Sequence, residues 1–395
     1  MRFDPWNPDF VAFPYDAYAE LRREAPVGFF EPTGQWLVAR HADVNALLRD
    51  RRLGRTYLHV ATHEEFGRLS PPEFQEPWWR VNNAGMLDLE PPEHTRLRRL
   101  VSRAFTPRMV ESLRPRVKEI AGGLVDAFVA QGGGDLIAEV AEPLPVTVIA
   151  EMLGVPESDR GLLRPWSADM CGMFELNPSL EAQHAAVRAA TEFAGYLRGL
   201  AAERRGDPGD DLISALAQIE ELTEDELVGT CVLLLNAGHE ATVNVTGNGW
   251  WALFRNPGEL ARLRADHSLL PTAIEELMRW DTPLQMFERW VLEDIEIGGV
   301  AIPKGVEVAL LFGSANRDPE VFVEPDRLDL GRADNPHISF GAGIHFCLGA
   351  PLARIELAES FGALLTKAPA MELVKEPVWK PGYVIRGLES LEVAI

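Results

Sequence analysis

Residues 340–349 read FGAGIHFCLG, and the rest of the chain is best read outward from them. The stretch sets Cys347 among Gly341, Gly343 and Gly349, in a chain of 395 residues whose other cysteines are Cys171 and Cys231. Downstream, LGAPLARIELAESFGALL repeats apolar residues at steps of three and four: Leu348, Leu352, Ile355, Ala358, Phe361, Leu365. That spacing predicts a helix, and Pro351 suits its first turn. Cys347 is therefore expected at a helix N-terminus, where free N–H groups and the helix dipole favour an anionic sulfur. The glycines let backbone amides approach it. Such a sulfur serves as a nucleophile, a zinc ligand or a haem ligand.

Zinc needs further ligands, and no second cysteine lies near. His239-Glu240 lacks the second histidine of H-E-x-x-H, and Gly341-Ala342-Gly343 lacks the third glycine of a dinucleotide fingerprint. His345 stands two residues from Cys347, but no protease signature surrounds the pair. A haem ligand fits best, because a thiolate on haem iron favours O–O cleavage. The plainer alternative is a buried structural cysteine.

Phe340, Gly343, Cys347 and Gly349 meet F-x-x-G-x-x-x-C-x-G, and here the sequence resembles the cytochrome P-450 family. The resemblance runs from PPEHTRLRRLVSRAF to the RGLESL tail. It implies a mainly α fold with small β-sheets, and haem b (iron protoporphyrin IX) with an axial Cys347 thiolate in a pocket that includes Phe340 and Gly349. Glu276 and Arg279 match the family's E-x-x-R, with Arg327 of VFVEPDRLDL completing the network; the implied role is structural. Taken alone, Glu276 and Arg279 are an ordinary helix ion pair. The resemblance gives His94 and Arg98, four apart on one helix face, to one haem propionate. Arg289 and His345 go to the other, since cations suit carboxylates and arginine binds them bidentately. Surface salt bridges are the alternative for each. Arg96, Arg99 and Arg103 remain for a face that docks an electron donor, commonly an acidic ferredoxin.

A second long helix is expected from Thr223, which forms a capping-box pattern with Glu226, to about Phe254. It is apolar on nearly all sides and hence buried. Its middle, Asn236 to Thr242, is polar and holds Gly238, the residue that leaves room beside the iron in the family pattern. A satisfied buried polar cluster is the bland reading. The family motif is roughly A-G-x-D/E-T-T; here it runs Ala237, Gly238, His239, Glu240, Ala241, Thr242, so the first threonine is replaced by Ala241. The resemblance makes Glu240 a proton-relay acid. The work of the missing hydroxyl falls to water, Thr242 or a substrate hydroxyl.

Composition sets the outer bounds. A net charge of −22 disfavours nucleic acid and anionic membranes as partners. An odd number of scattered cysteines suits a reducing compartment. MRFDPWNPDF shows no leader pattern, and CVLLLNAG is far short of the roughly 20 apolar residues of a spanning helix. A soluble, cytoplasmic protein without a membrane contact is expected. Strands are expected at VGFF and QWLVA around EPTG, within DIEIGGVAIPKGVEVALLFG, and in the tail PGYVIRGLESLEVAI. No repeat, linker or fused flavin or iron–sulfur module is visible, so residues 1–395 read as a single haem-thiolate domain.

The expected function is monooxygenation. Two electrons from a separate redox protein reduce O2, one oxygen atom enters an apolar organic substrate, and the other leaves as water. A peroxide-driven haem enzyme is one alternative, mildly favoured by Ala241. A haem-binding sensor or carrier is another, opposed by Glu240 and the apolar pocket segments. An iron-free helical interaction module leaves the cysteine motif unexplained. By resemblance, the distal pocket is lined by EPWWRVNNAGML, WSADMCGMF, LLNAG, PLQMF and VIRG, with Asn82, Asn83 and Gln285 as polar readers.

Overall fold

The 224–255 helix starts as its sequence predicts. Thr223 Oγ1 accepts from the Glu226 N–H at 3.2 Å, and Glu226 Oε2 accepts from the Thr223 N–H at 2.9 Å. In this computed structural model, which describes residues 3–395, the helix runs unbroken through its polar middle. At 32 residues it spans roughly 48 Å. The chain is mainly helical with small sheets, as expected. No helix of the described residues is long and apolar enough to cross a membrane.

Two compact units share the chain. One comprises Met1–Gly54, Val117–Leu144 and Ala241–Ile395; the other comprises Arg55–Arg116 and Pro145–Glu240. The long helix belongs to both, changing unit between Glu240 and Ala241.

In the first unit a five-stranded sheet has the order Val27–Phe30, Gln35–Val38, Glu307–Leu310, Phe287–Val291, Leu53–Gly54. Gln35–Val38 pairs parallel with Glu307–Leu310, and the other neighbours are antiparallel. The expected short strands appear at Ile295–Ile297, Val300–Ile302 and Glu307–Leu310. The tail contributes Glu392–Ala394, paired with Gly133–Asp135 and Glu372–Leu373. These two partners carry no alternating pattern in the sequence.

The helix after the cysteine spans Ala350–Lys367. Its apolar face packs on the second half of the 224–255 helix. The rings of Trp250 and Phe361 stack at 5.2 Å, and a Cβ at Gly249 would come within 3.0 Å of Phe361. Val243, Leu253, Leu357 and Leu364 complete this core. In the second unit the Leu180–Gly206 helix packs on Leu163–Cys171 and Glu76–Ala84. There a Cβ at Gly229 would sit 2.8 Å from the backbone of Val81, Ala84 and Gly85, so only glycine permits this crossing.

Candidate functional site

The cysteine segment is a tight turn feeding a helix. Gly341 and Gly343 have φ of 67° and 70°, the left-handed region that glycine enters freely. A Cβ at Gly343 would also lie 2.4 Å from the Leu48 carbonyl oxygen. The Cys347 N–H donates to the Phe340 carbonyl at 3.0 Å, which closes the turn and fixes where the sulfur leaves the backbone. Gly349 is different: its φ of −80° suits any residue. A Cβ there would stand 3.9 Å from Cys347 Sγ, an ordinary contact, so neither backbone nor space demands glycine at this position. His345 is half-buried in the short turn Gly343–His345, and Arg289 is buried at 2% exposure on its strand.

Behind this turn lies a buried ionic cluster. Glu276 accepts from five donors: Arg279 Nε and Nη2 at 2.7 and 2.8 Å, Arg332 Nε at 3.0 Å, the Asp329 N–H at 3.0 Å and Asn335 Nδ2 at 3.2 Å. Arg279 Nη1 also donates to the carbonyls of Asn316 and Pro325. The third member is thus Arg332. Arg327, expected in that role, instead pairs with Glu324 at 3.0 Å on the surface. Five residues separate the two arginines, and the turn at Asp329–Arg332 selects the later one.

Comparison with known proteins meets this geometry. The family profile for Cytochrome P450 matches residues 181–367. The cytochrome P450 monooxygenase PikC of Streptomyces venezuelae is 42% identical, over 98% of this chain and 92% of that protein. The 6-deoxyerythronolide B hydroxylase of Saccharopolyspora erythraea is 40% identical over 96% of each.

The chain belongs to the cytochrome P450 family.

Among solved structures, P450BioI in complex with hexadec-9Z-enoic acid ligated acyl carrier protein matches at a TM-score of 0.91 and 37% identity, covering 98% of this chain and 99% of that one. Members of the family bind haem b through a cysteine thiolate and act as monooxygenases on organic molecules with O2 and a separate redox partner.

The residues of this P450 fit a haem. Cys347 is the half-buried cysteine, on a turn closed by its own backbone N–H; Cys171 and Cys231 are buried, and burial pushes the Cys231 thiol up to about 12. The cations assigned to the propionates fall in both units. Arg289 and His345 belong to the first; His94, buried at 2% exposure, and Arg98 share one face of the Glu93–Ala104 helix in the second.

The centre of the long helix divides likewise. Gly238 and Glu240 lie in the second unit, where a Cβ at Gly238 would come within 2.5 Å of Ile149 Cδ1. Ala241 and Thr242 lie in the first. Thr242 is buried and hydrogen-bonded to Glu356 of the cysteine helix. Burial pushes the Glu356 carboxyl up to about 8, against the opposing bond from Thr242, so the group is protonated at neutral pH. Its Oε1 has no hydrogen-bond partner among the described residues. The sequence reading missed Glu356, although a signal existed: an acid four residues after Leu352, on the apolar face of the predicted helix.

Two expected polar readers have other work. Gln285 is fully buried, accepting from Tyr18 at 2.9 Å and donating to the Thr282 carbonyl at 2.6 Å. Asn82 donates to Asp88. Asn236 instead offers a buried Oδ1 without a hydrogen-bond partner among the described residues, while its Nδ2 faces Met170 Sδ at 3.8 Å.

Proposed function

We propose that this cytoplasmic protein is a one-domain monooxygenase of apolar organic molecules, with Cys347 as the axial ligand and the Thr242–Glu356 pair supplying a proton in place of the hydroxyl that Ala241 lacks. The observation that carries this reading is the burial of the Glu356 carboxyl against the Thr242 hydroxyl, next to Ala241, a setting that raises its hold on a proton. Haem, when bound, supplies thiolate-assisted activation of O2. Cys347 Sγ would hold the iron, with Arg289 and His345 at one propionate and His94 and Arg98 at the other. The Phe340 carbonyl orients the cysteine turn, and Glu356 holds a proton that passes to Thr242 Oγ1. Glu240, on the 224–255 helix, is the second acid of the proposed relay.

The test is product formed per electron pair, with hydrogen peroxide measured in parallel. Glu356→Gln should lower turnover by roughly tenfold to hundredfold, within the ordinary range for losing a positioned proton donor, and divert electrons to peroxide. Ala241→Thr should restore part of the coupling in that variant. In the parent, coupling should fall as pH rises through about 8, where Glu356 ionises. The stability sign agrees: the folded state keeps a proton that the unfolded chain has already released, so stability declines from the ordinary carboxylate range up to about pH 8 and then levels. Unchanged coupling in Glu356→Gln would assign proton delivery to Glu240 and water alone.

A ferredoxin-type donor is proposed to dock at Arg99 and Arg103. Both are exposed on the Glu93–Ala104 helix, Arg103 in a loose 3.8 Å pair with the exposed Glu221, whereas Arg96 is tied to Glu93 and Glu226. Arg99→Glu with Arg103→Glu should slow reduction by an acidic ferredoxin roughly tenfold at low salt, with the gap closing as salt rises. Rates indifferent to both would move the docking face elsewhere.

A further inference from the structure

Glu275 precedes Glu276 on the Leu270–Trp280 helix, yet it belongs to a separate network. Its Oε1 accepts from Arg354 Nε at 2.6 Å and its Oε2 from Arg354 Nη2 at 2.8 Å, a two-pronged pair. Oε2 also accepts from His337 Nε2 at 3.0 Å. His337 Nδ1 accepts the Ser339 N–H at 3.3 Å, which places the ring proton on Nε2 and aims it at the carboxylate. Ser339 is pinned in turn, its hydroxyl donating to the Met278 carbonyl at 2.9 Å and accepting from Asn316 at 2.9 Å.

Arg354 sits on the cysteine helix, seven residues after Cys347. Its guanidinium carbon lies 4.5 Å from the centre of the Phe340 ring, and Phe340 is the residue whose carbonyl takes the Cys347 N–H. Contacts therefore run from His337 through Glu275, Arg354 and Phe340 to the backbone N–H of Cys347. The bond to Glu275 first, and the charge of the Cys347 sulfur as well, raise the affinity of Arg354 for its proton, so the cation and the sulfur feel each other.

Stability is one contribution of this pair: the Arg354 and Glu275 side chains are 39% and 29% exposed, and, against the raising effect of burial, the bonds from Arg354 and His337 hold the Glu275 carboxyl well below the usual carboxylate range. A fixed cation behind a metal-bound sulfur also draws electron density away from it, and a carboxylate on that cation cancels the pull.

We propose that the Glu275–Arg354 pair sets the electron-donating strength of the Cys347 sulfur, Glu275 being a positioning residue that masks the guanidinium charge and His337 the clamp that holds it there. The masking carboxylate is oriented by a histidine from the segment leading into the cysteine turn, so the shape of that turn and the charge behind it are fixed together.

The test is the midpoint potential of the haem iron in the purified, haem-loaded, substrate-free protein, titrated spectroelectrochemically. The CO-bound reduced spectrum checks the thiolate in each variant. Glu275→Gln unmasks the guanidinium and should shift the ferric–ferrous equilibrium toward ferrous about tenfold, which is about 59 mV for one electron. Arg354→Gln leaves the carboxylate and should shift the equilibrium the other way by a similar factor. The double variant should return close to the parent. Shifts of the same sign, no shift in either single variant, or loss of the thiolate band in a single variant that still holds haem would each overturn the proposal, the last by making the pair a scaffold. If Glu275→Gln fails to hold haem, Arg354→Gln decides alone: an unchanged or raised potential overturns the proposal. Neither substrate nor turnover enters the measurement, so its outcome is separate from that of the proton-supply reading.

Discussion

Cys347→Ser is expected to abolish the thiolate-type absorbance of the CO-bound reduced protein, and with it all turnover. The loss should be complete because no other thiol can substitute. Cys231 is fully buried, with its thiol pushed up to about 12, and Cys171 is buried as well. Serine preserves the turn, since the bond that closes it comes from the backbone N–H of residue 347 to the Phe340 carbonyl. What serine lacks is an acidity that leaves an anion at neutral pH beside the helix start. Cys171→Ser and Cys231→Ser should leave the band in place. A band that survives Cys347→Ser, or disappears with either of the others, would sink the ligand assignment.

Glu276→Ala should cost nearly as much, through stability. It leaves the Arg279 side chain, 0% exposed, without its carboxylate, and it removes the acceptor shared by Arg332, Asn335 and the Asp329 N–H. Breaking one side of a buried pair costs about 3–5 kcal/mol. Domains are typically stable by about 5–15 kcal/mol, so the variant should keep little of its margin and lose haem readily. Arg332→Ala should cost less, because Arg332 stays 10% exposed. Arg327→Ala should leave stability close to the parent's, as surface changes usually do. Denaturant midpoints and haem content measure all three. Equal losses for Arg327→Ala and Arg332→Ala would return Arg327 to the cluster.

This contrast marks how far the sequence could be read. The cysteine turn and the long helix were legible because their signals are local: glycines that need positive φ, a capping box, apolar residues three and four apart. Glu276 with Arg279 was legible for the same reason, lying three apart on one helix. The arginine that joins them was not, because Arg332 reaches Glu276 across 56 residues of chain and local spacing does not separate it from Arg327. Glu356 is visible in the sequence as an acid on an apolar face, but its partner Thr242 lies on another helix, which local spacing does not reveal. Gln285 reads as a pocket residue until Tyr18, 267 positions away, is found on its side chain. The partners of the tail strand, Gly133–Asp135 and Glu372–Leu373, lack any strand pattern and are strands only because Glu392–Ala394 pairs with them.

The parallel pairing of Gln35 with Glu307 has a consequence for synthesis. Its two strands lie 272 residues apart in the chain. At about 5–20 residues per second, the early hairpin leaves the ribosome roughly 15–55 s before its partner exists. Until then Val27–Val38 has only its own hairpin partner, and the edge of Gln35–Val38 meant for Glu307–Leu310 is unfilled. Isolated hairpins are at best marginally stable in water, so this edge spends that interval open to other chains. Nascent chains stalled before residue 307 are therefore the species that should recruit chaperones, and slower translation of the middle of the message lengthens the exposure without altering the finished protein.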